Sequence, residues 1–122
     1  MSNNYVLIKY YIDKARNLSL NFDEQVKESS KLGIGDHFTE DIANEWFADD
    51  IKPLNELLKK NLISYKAVEL YSLINANFDS VSLNGNSPKK EIWTLAALKK
   101  HSFWKQQRLL AKELLNELIK FI

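Results

Sequence analysis

The amino-acid sequence predicts an all-α fold: a compact single domain over residues 1–122, built from about five to seven helices, with long first and last helices. Apolar residues recur along most of the chain at the spacing of one helix face, about 100° per residue. The three Gly and two Pro residues are confined to a few points between these stretches, as is typical of breaks between helices. No stretch alternates polar and apolar residues for long enough to predict a β-strand.

The first helix is predicted to run without interruption over residues 4–31. Its apolar stripe keeps the same phase from Leu7 to Val26. Polar residues that are poor helix formers occur in the middle of this stretch, and Asn21 with Glu24 has the spacing of a capping pair that begins a second helix. Because the apolar stripe continues past them, we favour one continuous helix.

Three helices are predicted in the middle of the chain. The first of them covers residues 39–49, and another follows with Asp50 as its N-cap and Pro53 in its first turn, where proline is tolerated. Ser64 is the predicted N-cap of the third. The predicted inner faces are, in order, Ile42, Ala43, Trp46 and Phe47; Leu54, Leu57, Leu58 and Leu62; and Ala67, Leu70, Tyr71, Ile74 and Phe78.

Two further helices are predicted after a turn at residues 84–88. Ser87 is the predicted cap of the first, with Pro88 at its first helical position. This short helix holds Trp93, Leu95 and Leu98. Ser102 is the predicted N-cap of the last helix, residues 103–121. Its inner face holds Trp104, Leu110, Ala111, Leu114, Leu115, Leu118 and Phe121. Across all helices, the side chains expected to be largely buried are Trp46, Tyr71, Ile74, Trp104, Leu114 and Leu118.

The composition is that of a folded domain that does not enter a membrane. Hydrophobic residues make up 45% of the chain and charged residues 27%, values that are typical of globular domains. No apolar run approaches the roughly 20 residues that cross a bilayer, and the N-terminus lacks the features of a secretory signal. Cysteine is absent, which excludes disulfides and thiolate ligands. We therefore expect a cytoplasmic protein.

The two halves of the chain carry opposite charge. Residues 1–58 hold six Lys or Arg against eleven Asp or Glu, whereas residues 59–122 hold eleven against five. Two interpretations stay open. The halves neutralise each other within the folded domain, or one of them forms a surface for a charged partner.

Acidic residues are concentrated between positions 36 and 50, where no Lys or Arg occurs. Asp41, Glu45 and Asp49 recur every four residues, so on a helix they share one face, although like charges at this spacing destabilise the helix slightly. The pattern is explained equally well by an acidic face exposed to solvent, by contact of this face with the protein's own basic half, or by a binding surface for a partner. The functional hypothesis is a docking surface for a basic partner, formed by Asp41, Glu45, Asp49 and Asp50.

No catalytic, metal or cofactor site is predicted. His37 and Asp41 are four residues apart, a spacing at which two metal ligands share a helix face, but Asp36 beside them is predicted to form the turn that enters the helix. Neither a nucleophile elbow nor a phosphate-binding Gly-rich loop is present. An enzyme built around His37 is a lower-ranked hypothesis, and His101 is expected to have a helix-end or packing role.

The basic C-terminal third supports an alternative function, a nucleic-acid-binding regulator. Eight Lys or Arg residues lie between positions 89 and 120, together with Trp93 and Trp104, and such a mixture can bind phosphates and stack on bases. Both Trp residues lie on apolar stripes, however, and are expected in the core. Nucleic acid is therefore the less favoured partner.

Two polar residues of the last helix fall close to its apolar face. Gln107 lies inside the apolar arc, and Arg108 lies at its edge, near Trp104 and Leu115. Polar groups that are buried without partners cost roughly 1–3 kcal/mol. We therefore expect Gln107 to have hydrogen-bond partners and Arg108 to pair with a carboxylate of another helix.

The helix-packing patterns of residues 69–74 and 101–112 give the chain a family resemblance. It resembles small cytoplasmic immunity proteins of bacteria, including those of contact-dependent growth inhibition systems. The resemblance implies a non-enzymatic inhibitor that binds one cognate toxin domain, often a nuclease, and blocks its active site. It also implies a basic partner, which an acidic helix face suits. It assigns no binding residues to positions of this sequence.

Overall fold

The computed structural model of the protein describes residues 3–31, 42, 46, 51–82 and 95–120. Within these residues there are six continuous helices and no β-strand, so the all-α prediction is confirmed. The helices are α1 (Asn3–Ser19), α2 (Phe22–Lys31), α3 (Lys52–Lys59), α4 (Tyr65–Ser82), α5 (Leu95–Lys100) and α6 (Ser102–Ile119). The first and last helices are long, and α4 is as long as α6, at 18 residues each.

The centre of the fold is a group of three long helices, in which α6 packs against both α1 and α4. The hydroxyl of Ser64, just before α4, lies 3.1 Å from a carboxylate oxygen of Glu117, near the end of α6. At the other end of α4, the ring of Phe78 lies 5.7 Å from that of Phe103, near the start of α6. These two contacts show that α4 and α6 run antiparallel.

The core lies between these helices and is rich in aromatic residues. All six side chains that the sequence predicts to be largely buried are at most 1% exposed, which confirms that prediction. The ring centroids of Trp46 and Tyr71 are 5.0 Å apart, and those of Phe78 and Trp104 are 5.7 Å apart. Each aromatic side chain removes a large apolar area from water, so this cluster contributes much of the stability of the domain.

The first predicted helix is interrupted, so the prediction of one continuous helix over residues 4–31 was wrong. α1 ends at Ser19 and α2 begins at Phe22. Between them, the side-chain oxygen of Asn21 accepts a hydrogen bond from the backbone N–H of Glu24 at 2.9 Å. This N-cap satisfies a backbone donor at the start of α2. The apolar stripe keeps its phase across the break, which is why periodicity alone does not detect it.

Replacing Asn21 with alanine is expected to lower the free energy of unfolding by about 1 kcal/mol, because the first turn of α2 loses the acceptor for one of its N–H groups. Asn21→Asp is the matched control, since it keeps an oxygen acceptor at the same position. Urea denaturation followed by circular dichroism measures both variants. If Asn21→Asp loses as much stability as Asn21→Ala, the side chain does not act as a cap.

Of the N-caps predicted for the other two long helices, one is confirmed and one was wrong. Ser64 is confirmed as the N-cap of α4, because its hydroxyl accepts a hydrogen bond from the N–H of Ala67 at 3.1 Å. The N-cap of α6 is His101 rather than Ser102, and that prediction was wrong. His101 has extended backbone, and its ring Nδ1 accepts the N–H of Phe103 at 3.0 Å. The imidazole thus caps α6 one residue earlier than predicted, and of the two roles expected for His101, helix end or packing, the helix-end role is confirmed.

Several predicted features lie outside the described residues. They are the cap Asp50, the turn at residues 84–88 with Ser87 and Pro88, Trp93, Phe121, and all of residues 39–49 except Ile42 and Trp46. In α3, Pro53 lies in the first turn as predicted. Ile51 rather than Asp50 occupies the N-cap position, without a side-chain hydrogen bond, so the predicted cap was wrong.

Candidate partner-binding site

The four acidic residues predicted to bind a partner, Asp41, Glu45, Asp49 and Asp50, lie outside the described residues, as does His37. Two members of the same segment, Ile42 and Trp46, are described, and both are helical. Trp46 is almost completely buried, and Ile42 is partly buried against the same core. The predicted inner face of this segment is therefore confirmed at these two positions.

Trp46 packs beside a buried lysine that the sequence analysis did not single out. The side chain of Lys14, on α1, is only 2% exposed. Its ammonium nitrogen donates a hydrogen bond to the hydroxyl of Tyr71 at 2.9 Å and lies 4.6 Å from the ring centroid of Trp46. A buried ammonium needs such partners to offset the loss of water, and aromatic faces attract cations. The position was detectable in the sequence, because Lys14 lies three residues after Tyr11 and four before Leu18, on the apolar stripe of α1.

Arg108 connects three helices and is partly buried. Its Nε and Nη2 donate hydrogen bonds to the side-chain oxygen of Gln25 on α2, at 3.3 and 2.9 Å. Nη2 also donates to the backbone carbonyl of Leu98 on α5. Gln25 is itself buried, and its amide nitrogen donates to the carbonyl of Leu18 at 3.0 Å. The predicted carboxylate partner was therefore wrong within the described part of the chain, because the acceptors of Nε and Nη2 are neutral oxygens.

Because its partners are neutral, Arg108 has a positive charge that they do not balance. Partial burial lowers the pKa of the guanidinium, because the charged form loses contact with water. Arginine nevertheless keeps its charge at any physiological pH. Arg108 is thus a positive group that is held in one position by amide and carbonyl oxygens, while its charge is not balanced by an adjacent carboxylate among the described residues.

Gln107 is fully buried and has the partners that its position requires. Its amide nitrogen donates to the backbone carbonyl of Ile74 at 3.1 Å, and its side-chain oxygen accepts a hydrogen bond from Asn77 at 3.0 Å. The sequence-based expectation for Gln107 is confirmed. Both hydrogen bonds link α6 to α4, so they favour the observed register of the two helices.

An open groove of about 510 Å³ lies where the break between α1 and α2 faces α6. Leu109 lines it and is 58% exposed. The lining combines apolar, basic and acidic side chains. It consists of Ser19, Leu20, Asn21, Glu24, Lys105, Arg108, Leu109 and Lys112. We call this surface the α2–α6 groove.

In comparisons with protein-family models, with characterised proteins and with solved structures, nothing matches this chain.

Metal binding, membrane insertion and stacking on nucleic-acid bases find no support among the described residues. None of these residues form a group of three or more His, Cys, Asp or Glu side chains that is able to hold a metal ion. Across the same residues, every helix is too short or too polar to cross a membrane. Trp104 has no exposed surface, so it does not offer a face on which a nucleic-acid base can stack.

Proposed function

We propose that the protein is an immunity protein, which binds a cognate bacterial toxin domain in the cytoplasm and neutralises it by occluding its active site. The toxin domain in this proposal is a basic nuclease. The binding residues are Asp41, Glu45, Asp49 and Asp50, which attract the cationic surface that the nuclease uses to hold phosphates.

The observation that best supports the proposal is the burial of Trp46 within the acidic segment. Ile42 and Trp46 pack against the core, so the segment contacts the rest of the domain at these two positions. Asp41 and Glu45 each directly precede one of these two residues. At about 100° per residue, helical spacing predicts them on a different side of the helix from the core. A carboxylate surface on a packed domain loses little entropy when it binds.

The mode of inhibition follows from charge and size. An acidic surface competes with the phosphates of a nucleic acid for the same Lys and Arg side chains of a nuclease. Long-range attraction between opposite charges raises the association rate, and this effect decreases as salt is added. Once bound, a domain of 14.2 kDa fills the space that the substrate needs, so inhibition requires no chemistry by the inhibitor.

The test uses a purified, basic nuclease domain from a bacterial toxin, and a secreted protein whose gene lies beside this one would be the first to supply it. Asp41→Lys together with Glu45→Lys is expected to slow association and to weaken affinity by about 10-fold or more, since several charges act on one surface. The same variant is expected to lose protection of a nucleic-acid substrate from cleavage. Surface plasmon resonance at two salt concentrations and a nuclease assay measure these effects.

Glu69→Lys together with Glu113→Lys is the matched control. It changes the net charge by the same amount through two exposed carboxylates on α4 and α6. We expect this control to bind within about 2-fold of the wild type, because neither residue belongs to the acidic segment. Equal weakening of both variants, or wild-type protection by the acidic-segment variant, overturns the assignment of these residues.

A further inference from the structure

We propose that the α2–α6 groove binds an acidic amphipathic segment of a partner protein. A carboxylate of that segment binds Arg108, and its apolar side chains pack on Leu20 and Leu109. This surface differs from the acidic residues discussed above and has the opposite charge. The inference therefore stands apart from the proposed function, and neither depends on the other.

Arg108 is arranged as a carboxylate receptor. Gln25 and Leu98 fix its guanidinium through Nε and Nη2, while Nη1 donates to none of the described residues. Because the group lines the groove, a carboxylate that enters there meets a charged donor whose position is already set. Charge-assisted hydrogen bonds of this kind are about twice as strong as neutral ones. Little side-chain entropy remains to be lost when the ligand binds.

Two lysines extend the positive surface along the same wall. Lys105 and Lys112 are seven residues apart on α6, which places them two turns or about 10.5 Å from each other. Leu109 lies between them on the same stripe. Neither lysine forms an ion pair with another described residue, and both side chains are exposed. An apolar anchor flanked by basic residues at this spacing complements an amphipathic helix that carries carboxylates two turns apart.

The lining favours a polypeptide over a nucleic acid. Glu24 on the α2 wall repels a phosphate backbone, whereas a peptide can place an apolar or neutral side chain there. Leu20 and Leu109 offer apolar surface, which phosphates and sugars do not use. Trp104, which would have been the stacking residue, is fully buried. An acidic peptide with an apolar face matches both the charge and the leucines of this groove.

The test uses a fluorescein-labelled helical peptide with leucines along one face and glutamates two turns apart on its borders. Its binding to the full chain is measured by fluorescence anisotropy. A second peptide, in which every Glu is replaced by Gln, is expected to bind about 10-fold more weakly, because it cannot form charge-assisted contacts. Duplex DNA and single-stranded RNA oligonucleotides are titrated in the same buffer.

Substitutions of groove residues that do not belong to the hydrophobic core locate the binding site through their effect on peptide affinity. Lys105→Glu with Lys112→Glu is expected to weaken peptide binding by about 10-fold or more, and Leu109→Ser by about 5-fold. Glu24→Gln is expected to strengthen it by about 2-fold, since a like charge is removed. Lys60→Glu with Lys66→Glu carries the same charge change at the opposite end of the bundle and is expected to bind within about 2-fold of the wild type.

Three outcomes overturn the proposal. The first is the absence of peptide binding at concentrations where the folded chain is stable. The second is equal weakening by the two lysine variants, which indicates attraction by net charge alone. The third is tighter binding of an oligonucleotide with the same dependence on Lys105 and Lys112, which assigns the groove to nucleic acid.

Discussion

Replacing Leu114 with alanine is expected to lower the free energy of unfolding by about 2–5 kcal/mol, the range for a buried leucine truncated to alanine. Leu114 lies on the inner face of α6 and is 1% exposed. The truncation removes contacts and leaves a cavity, which the surrounding helices fill only in part because α6 is packed against both α1 and α4. Urea denaturation followed by far-ultraviolet circular dichroism measures the loss.

Leu109→Ala is the matched control for this prediction. It makes the same chemical change on the same helix at a side chain that is 58% exposed. We expect its free energy of unfolding to stay within about 0.5 kcal/mol of the wild type, as for most surface substitutions. A loss below about 1 kcal/mol for Leu114→Ala, or similar losses for the two variants, contradicts the assigned inner face.

Replacing Arg108 with alanine is expected to lower the free energy of unfolding by about 1–3 kcal/mol, the range for losing hydrogen bonds to a charged group. The guanidinium joins Gln25 on α2 to the carbonyl of Leu98 on α5. Without it, the partly buried oxygens of both residues lose their donor. Thermal and chemical denaturation, each followed by circular dichroism, measure the effect.

Two further variants separate this contact from surface charge. Lys112→Ala removes an exposed cation one turn further along α6 and is expected to change stability by less than about 0.5 kcal/mol. Arg108→Lys keeps the charge but not the planar fork that reaches two acceptors, so we expect it to restore only part of the stability. Equal midpoints for Arg108→Ala and Lys112→Ala contradict a structural role for the guanidinium.

Helical periodicity predicts much of the fold because burial in a helix bundle depends on which face a residue occupies. Trp104, Gln107 and Leu114 were placed on the inner face of the last helix from their spacing alone, and all three are buried. Helix N-caps are also predictable when the cap is a residue type that is preferred at this position, as is the serine at position 64. Buried helix faces and N-caps depend on residues that are close together in the sequence, so a single sequence is enough to predict them.

The errors concern features that local patterns do not encode. At Asn21 the apolar stripe continues while the backbone breaks, because a side-chain hydrogen bond to Glu24 competes with continuation of the helix. The partner of Arg108 depends on how α2 and α5 pack, which spacing along α6 cannot specify. A charged residue on an apolar stripe, such as Lys14, was overlooked, although the same rule that placed Gln107 inside applies to it.

The candidate sites differ in how far the sequence predicts them. The acidic residues from Asp41 to Asp50 are a pattern of composition and spacing, and their role stays a prediction. The α2–α6 groove was missed because it exists only where the break at Asn21 comes to face Leu109 and Arg108. Its lining comes from positions more than 80 residues apart in the chain, and nothing in either stretch alone indicates a shared cavity.

The pairing of α1 with α6 has a consequence for how the chain is made. The ribosome synthesises α1 long before α6, the helix that packs against it most extensively in the described part of the chain. Until residues 102–119 leave the ribosome, α1 and α4 expose leucine, isoleucine and aromatic side chains, and such surfaces bind chaperones or aggregate. A chain that stops before α6 is therefore expected to be an unfolded, protease-sensitive product rather than a smaller domain, and a nonsense mutation just before residue 102 should be as harmful as one before α1.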